Sequence, residues 1–345
     1  MISKSKDQLL YEYDKPIIWN LSCFGNEWQM FILDNVIEIL KKYGYSNPIS
    51  TIHGSYSCKY NGGRTALYWN SWTNIENCIK KYNNKGIGVK LTFSNMNIHK
   101  EQFEEKEMRQ YLDVLNETKG IGNGIICVND DFAELVKKNY PDLDLVASHV
   151  KMELETKMGI TDTTDYYNSK FDLYDIVVMN TYRAFDDDFL SKINHPERVE
   201  FIVNHSCTTN CQMAKRHHEL IDAQQELKIK YNHDSKILEK NRQFINNIKE
   251  IKSILEICKN IKEQNIYEKI CRQFINRDEI NHLVNTFGIN RFKIEGRDLS
   301  NFEFIVSLNR HLINQNSIYD IIHNKYETQM NDKINTKAWQ RRFFD

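Results

Sequence analysis

Two cysteines separated by three residues follow a short apolar stretch of the chain. The segment from Val199 to His218 reads VEFIVNHSCTTNCQMAKRHH, and Cys207 and Cys211 lie within it. Thiolate pairs suit soft metals, so a loop carrying both could supply two of the four ligands of an iron–sulfur cluster. The two could equally be small buried residues with no ligand role. Zinc is the other candidate, because imidazole and thiolate together form tetrahedral sites, and three histidines lie close by: His205, His217 and His218.

A row of charged residues ends a second apolar stretch, Asn290–Ser300, which reads NRFKIEGRDLS. Apolar residues alternate there with three charged ones: Lys293, Glu295 and Arg297. Alternation of this kind predicts a strand with one apolar face and one charged face. Buried charges are costly unless they are paired. The row is therefore either a structural ion pair, Glu295 with Lys90 or Lys293, or part of a functional site.

Short apolar stretches alternate with helical patterns along the chain, which predicts an α/β fold. The predicted strands are Ile17–Leu21, Ser50–His53, Gly88–Phe93, Gly124–Val128, Leu143–Ser148, Ile176–Asn180, Glu200–Val203 and Arg291–Glu295. Eight strands, each followed by a helix or helical turn, favour a closed (βα)8 TIM-type barrel. A doubly wound open sheet is the alternative.

In such a barrel, inward side chains fill the interior, outward ones pack under the helices, and chemistry takes place where the strands end. The apolar residues Phe292 and Ile294 should then face outward and the charged row inward. Four residues at or just past strand ends are predicted to line the site: His53, Asn204, Glu295 and Arg297.

Two segments exceed what a minimal barrel needs. Residues 214–287 contain several helical patterns and are predicted to form a helical insertion between strands 7 and 8. Residues 315–345 form a C-terminal extension that ends in TKAWQRRFFD, predicted to dock on the outside of the barrel rather than to bind nucleic acid. All of residues 1–345 are predicted to form a single barrel domain.

Composition excludes some classes of partner. The net charge of the 345-residue chain is −1, so no overall field attracts nucleic acid or an anionic membrane. No apolar stretch approaches the roughly 20 residues of a membrane span. The eight cysteines are scattered, which is typical of the reducing cytoplasm. We therefore expect a cytoplasmic protein with no membrane partner.

The segments VNHSCTTNC and FKIEGR together resemble the collagenase-like peptidase family, also called the U-32 group. Its members have a strand that ends in Asn before a cysteine-rich turn, and a later strand that ends in KIEGR. The resemblance extends from about Gly122 to Leu312. It implies a TIM-type barrel in which Glu295 to Arg297 form the charged strand end and Cys207 and Cys211 belong to the cysteine-rich turn.

The resemblance also implies a range of activities. Several family members are iron–sulfur proteins that assist oxygen-independent hydroxylation of RNA bases or of a quinone precursor, whereas others are described as peptidases. Cluster-binding members use four cysteines, and the only later cysteines here are Cys258 and Cys271. Nucleic acid enters as a possible partner only through this resemblance, and a partner protein is the other possibility.

We therefore predict a U-32-like barrel enzyme that modifies an RNA base or a small aromatic substrate with the help of an iron–sulfur cluster, with zinc as the alternative metal. A peptidase is one alternative function, although the sequence contains neither a G-x-S-x-G nor an H-E-x-x-H motif. The other is a barrel without catalytic activity that serves as a binding or assembly protein.

Overall fold

The computed structural model of the chain describes residues 9–54, 58–62, 72–156, 160–205, 207, 211–264, 274–296 and 301–314. The predicted site residues Arg297 and Cys271 lie outside the described residues, as does the C-terminal extension. Among the described residues, none of the helices combines the length and the apolar character needed to cross a membrane.

Eight parallel strands close into a barrel in which each strand pairs with its neighbours in sequence and β8 pairs with β1. The strands are β1 (Ile18–Phe24), β2 (Ile49–Gly54), β3 (Gly88–Phe93), β4 (Gly124–Cys127), β5 (Asp144–Ala147), β6 (Ile176–Val178), β7 (Val199–Ile202) and β8 (Arg291–Ile294). The prediction of a (βα)8 TIM-type barrel is confirmed, with most strand bounds within two residues of those expected.

Helices follow the strands and form the outer layer. They are α1 (Glu27–Lys42), α2 (Trp72–Asn83), α3 (Lys106–Asn116), α4 (Asp130–Asn139), α5 (His149–Glu155), α6 (Thr164–Lys170), α7 (Asp187–Leu190), α8 (Ala214–Lys230), α9 (Ser235–Leu238), α10 (Arg242–Gln264), α11 (Arg277–Phe287) and α12 (Asn301–His311). The predicted insertion between strands 7 and 8 is helical where the structure describes it: α8, α9, α10 and α11 lie between β7 and β8.

The main hydrophobic core lies between the barrel and the helices. Phe292 and Ile294 of β8 are fully buried in it, together with helical residues such as Leu112 and Phe132. This confirms the predicted parity, because the residues that alternate with them must then face the barrel interior.

The barrel interior has an apolar half and a polar half. A small apolar cluster, separate from the main core, fills the side formed by β4 to β7: Ile126, Val146, Ile176, Val178 and Ile202. On the other side, the Thr51 hydroxyl donates to Oδ1 of Asn20 at 2.6 Å, and the Asn20 amide lies 3.5 Å from a carboxylate oxygen of Glu200. Interiors of TIM barrels are usually filled with branched apolar residues, whereas here hydrogen-bonded polar side chains occupy part of the interior.

Lys90 is not a partner of the charged strand end, contrary to one expectation. Its Nζ atom lies 2.8 Å from a carboxylate oxygen of Asp144 and 2.8 Å from the carbonyl oxygen of Gly122. Asp144 is the first residue of β5, so this pair closes the amino-terminal end of the barrel. The ammonium group is satisfied there, at the end opposite to Glu295.

Candidate functional site

Three side chains from separate strand ends form a hydrogen-bonded chain at the carboxyl end of the barrel. His205 follows β7, Glu295 follows β8, and His149 is the first residue of the helix after β5. Nδ1 of His205 lies 3.1 Å from Oε2 of Glu295, and its Nε2 lies 3.0 Å from Nε2 of His149. The two imidazole rings meet edge to face, with centroids 4.2 Å apart. We call this arrangement the Glu–His–His chain.

The two histidines of this chain have opposite charge preferences. Burial by itself would lower the pKa of His205, but the Glu295 carboxylate and hydrogen bonds with Glu295 and Cys207 raise it to about 10. Burial, followed by the charge on His205, lowers the pKa of His149 to about 3. At neutral pH, a charged imidazole therefore lies between a carboxylate and a neutral imidazole. Groups with strongly shifted pKa values in such a position are characteristic of functional sites.

Local structure fixes the positions of Glu295 and His149. The Asn204 side chain accepts a hydrogen bond from the backbone N–H of Glu295 at 2.7 Å and donates one to its carbonyl oxygen at 2.9 Å. Ser148 caps the helix that His149 begins by accepting from the N–H of Val150. Asn204, predicted to be catalytic, thus makes contacts that hold the end of β8 in place.

Gly296 fits between neighbouring elements because it has no side chain. A Cβ atom there would lie 2.7 Å from the carbonyl oxygen of Ser22 and 2.9 Å from Oε1 of Gln29. The Gly296 carbonyl in turn accepts a hydrogen bond from the Gln29 amide at 2.5 Å. The glycine after Glu295 therefore lets the strand end approach β1 and α1 closely, which sets where the carboxylate lies.

A second buried pair lies beside the chain. Nε2 of His218 on α8 is 3.3 Å from Oε2 of Glu153 on α5. Burial would raise the pKa of Glu153, but the hydrogen bond from His218 and the nearby imidazoles of His149 and His205 lower it to about 2. Glu153 is therefore a carboxylate at neutral pH, and it joins α8 to the group of histidines.

Helix α8 turns a polar face toward the loops at this end of the barrel. Buried residues recur at one-turn spacing along it: His218, Asp222 and Gln225. A carboxylate oxygen of Asp222 accepts a hydrogen bond from the N–H of Met96, which lies just past β3, at 2.9 Å. The Gln225 amide donates to the carbonyl oxygen of Cys58 at 3.4 Å. The insertion therefore covers loops that follow β2 and β3.

The cysteines predicted to bind a cluster have two different surroundings. Cys207 interacts electrostatically with the His205 ring, and Cys211 interacts electrostatically with Cys258 on α10. Burial, together with the neighbouring Cys258 and Glu153, raises the pKa of Cys211 to about 11. All three are free thiols that are partly exposed.

These residues alone do not fit a four-thiolate cluster. Cluster ligation requires all four thiolates around one small core, whereas of the three described candidates Cys211 interacts with Cys258 and Cys207 interacts with His205. Within the part of the chain that the structure describes, no group of three or more His, Cys, Asp or Glu side chains is arranged to hold a metal ion. The fourth candidate, Cys271, lies outside the described residues.

His53 lies in the barrel interior near the end of β2, where its side chain is buried. It has the same parity as Thr51 and is in register with Lys90 of β3. Its predicted catalytic role, like those of Asn204 and Glu295, stays a prediction.

No protein-family model matches the chain, and neither does any curated protein. A search of solved structures found the U32 peptidase Mk0906, which is 12% identical in sequence and superimposes with a TM-score of 0.46. The alignment covers 83% of this chain and 94% of the peptidase. That protein belongs to the family that the sequence motifs resemble.

Glu153 is a member of the site that inspection of the sequence missed. It lies four residues after His149, which places both on one face of a helix, and this spacing is the signal that could have identified it. The buried polar residues of α8 also recur at one-turn spacing, which is a similar signal: His218, Asp222 and Gln225. Neither pattern reveals its partner, because the contacts cross from one element to another.

Proposed function

We propose that this chain is a U-32-like barrel enzyme whose reaction takes place at the carboxyl end of the strands. The observation that carries the proposal is the Glu–His–His chain, in which Glu295 and His149 hold a charged His205 between them. An ion pair that served stability alone would not need a second imidazole, and replacing buried ion pairs by apolar residues is often neutral or stabilising.

The contacts of His205 favour cysteine chemistry as the reaction class. Cys207 lies two residues after His205 and interacts electrostatically with its ring, and the Glu295 carboxylate lies 3.1 Å from Nδ1 of the same ring. A nucleophile and a neighbouring imidazole that a carboxylate orients are recurrent parts of nucleophilic catalysis. We therefore propose hydrolysis or transfer of acyl groups, the peptidase alternative, with Cys207 as nucleophile.

Replacing Cys207 with Ser is expected to abolish hydrolysis of p-nitrophenyl acetate and of a mixed peptide library, because a hydroxyl paired with this histidine is a much weaker nucleophile. Product release would be measured by absorbance and by mass spectrometry. Cys258→Ser serves as the matched control, since Cys258 is also a partly exposed thiol but contacts Cys211 instead. Equal hydrolysis by the Cys207→Ser variant and the parent would overturn the proposal.

A second candidate is the iron–sulfur-dependent modification of an RNA base or small aromatic compound. The proximity of Cys211 to Cys258 favours it, because it adds a helical cysteine to the C-x3-C loop. Protein purified without oxygen should then contain iron and sulfide, and Cys258→Ser should lose both. Bound iron without hydrolysis would select this candidate. Neither iron nor hydrolysis would leave a barrel that acts in binding or assembly.

A further inference from the structure

Most helices of the insertion between β7 and β8 bury their apolar residues apart from the barrel. In the part of the chain that the structure describes, neither the main core nor the small interior cluster includes a residue of α8, α9 or α10. These helices have buried apolar residues of their own: Ala214, Leu220, Leu227, Leu238 and Ile254. Helix α10 packs against α8, and the Glu250 carboxylate on α10 accepts two hydrogen bonds from the Arg216 guanidinium on α8, at 2.6 and 2.8 Å. We call the three helices, residues 214–264, the α8–α10 unit.

Helix α11, the last of the insertion, belongs to the barrel instead. Its residues Ile280, Leu283 and Val284 are part of the main hydrophobic core. The insertion is therefore divided, and only the α8–α10 unit lies outside the apolar packing of the barrel.

Hydrogen bonds join α8 to the carboxyl end of the barrel. Besides the contacts of His218, Asp222 and Gln225 described above, a carboxylate oxygen of Glu226 accepts a hydrogen bond from the Asn97 amide at 3.3 Å. The partners of these side chains lie on α5 and in the loops that follow β2 and β3. From His218 to Glu226 the helix extends for about 12 Å, at a rise of about 1.5 Å per residue. Helix α8 therefore crosses the carboxyl end of the barrel from the β5 side to the β2 side.

A polar interface of this kind separates at low cost. Hydrogen bonds that are lost on opening are replaced by hydrogen bonds to water, so each contributes little net free energy. The buried carboxylate of Asp222 regains its hydration when the interface opens. Separating an apolar interface would instead expose surface that water hydrates unfavourably. The α8–α10 unit keeps its apolar contacts within itself, so it can move away from the barrel as one body.

We propose that the α8–α10 unit is a lid that opens as one body and closes over the carboxyl end of the barrel. In the closed position, His218 contacts Glu153, which lies one helical turn after His149 of the Glu–His–His chain. A lid over such a site admits the substrate when it is open and excludes water when it is closed. The inference rests on the proposed location of the site but not on the reaction class, so it applies equally to acyl transfer and to modification of a base.

Hydrogen exchange of the full chain, measured by NMR, tests the opening without a substrate. The N–H of Met96 belongs to the barrel but donates to Asp222 of the lid, so its exchange reports when the two separate. After correction for intrinsic rates, we expect it to exchange at least about 100-fold faster than the amides around Leu91 in the middle of β3. Urea should have little effect on this rate, because opening exposes far less surface than unfolding. The α8 amides from Leu220 to Leu227 should stay protected, since the lid keeps its internal hydrogen bonds.

A substitution at the far end of α8 distinguishes a lid from motion of a single loop. Glu153→Gln weakens the contact with His218, and a lid that opens as one body breaks all its contacts together. Exchange at Met96 should therefore become about fivefold faster, since a hydrogen bond to a charged group is replaced by one to a neutral group. Glu219→Gln is the matched control, because the partner of Glu219 is Arg216 on the same helix, at 3.4 Å. It should leave the exchange of Met96 unchanged.

Three results would overturn the proposal. Equal protection of Met96 and Leu91, with the same dependence on urea, would mean that α8 leaves the barrel only when the whole chain unfolds. Exchange of the α8 amides together with Met96 would mean that the helix unfolds instead of moving as one body. Unchanged exchange of Met96 in Glu153→Gln would mean that only its loop moves. None of these measurements depends on the reactivity of Cys207, so the proposed cysteine chemistry can fail while the lid stands.

Discussion

Glu295→Gln is expected to slow alkylation of Cys207 by iodoacetamide at pH 7, because it reduces the positive charge on the nearby His205 ring. An opposite charge at hydrogen-bond distance changes a pKa by about 1 to 3, and Glu295 is the carboxylate that lies 3.1 Å from His205. Glutamine keeps the shape but removes the charge, so the pKa of His205 should fall from about 10 to between about 7 and 9, and the imidazole should lose part of its positive charge at pH 7. Acyl transfer that depends on this pair should fall by about 10²–10⁴. Alkylation rates and turnover of p-nitrophenyl acetate measure the two effects.

The stability of this variant separates a functional role from a structural one. Removing one member of a buried ion pair typically costs about 3–5 kcal/mol when the other charge is left stranded. Here the group left without its partner would be the imidazole of His205, which can lose its proton and become neutral. We therefore expect a loss of only about 1–3 kcal/mol in the free energy of unfolding. Glu134→Gln, at an exposed position on α4, is the control. A Glu295→Gln variant with the stability and reactivity of the parent would contradict both roles.

His311→Phe is expected to make the protein less sensitive to acid. His311 on α12 is buried against the Trp19 and Phe274 rings, and neither of its ring nitrogens has a hydrogen-bond partner among the described residues. Burial, with smaller contributions from the charges of Arg310 and Arg277, lowers its pKa from 6.5 to about 3. Between these two pH values, the unfolded chain binds a proton at this position that the folded chain does not, so stability is lost as the pH falls below 6.5.

The expected difference can be measured directly. His311 alone should cost about 2 kcal/mol of unfolding free energy between pH 6.5 and pH 4.5. The stability of His311→Phe relative to the parent should therefore increase by about this amount over the same range, as measured by urea unfolding followed by circular dichroism. The same relative stability of His311→Phe at both pH values would mean that His311 titrates as it would in water.

Much of the barrel could be predicted from the sequence because its signals are local. A strand alternates its side chains between two faces with a period of two residues. Phe292 and Ile294 could therefore be assigned to the helical side, and the charged row to the interior, before any tertiary contact was known. The alternation of strands and helices indicated a parallel sheet whose strands are covered by helices. The count of eight strands then favoured a closed barrel over an open sheet.

The contact between Glu295 and His205 could not be predicted from the sequence. The expected partners were Lys293 and Lys90, cations of the charged row and of a strand with the same parity. The structure pairs Lys90 with Asp144 at the opposite end of the barrel and brings His205, 90 residues away in sequence, to the carboxylate. Which strand ends become neighbours depends on the closure of β8 onto β1 and on the register around the barrel, and neither is encoded in a local pattern.

The sequence by itself therefore determined the fold class and the parity of the strands. Only the tertiary structure decided that His149, His205 and Glu295 form one hydrogen-bonded chain, that Cys211 meets Cys258, and that Asn204 holds a backbone in place. The physical reason is that hydrogen bonds act over about 3 Å, whereas side-chain periodicity fixes only the face on which a residue lies. A difference of one residue in register moves a side chain by about 3.3 Å along its strand, which is enough to make or break every contact in this site.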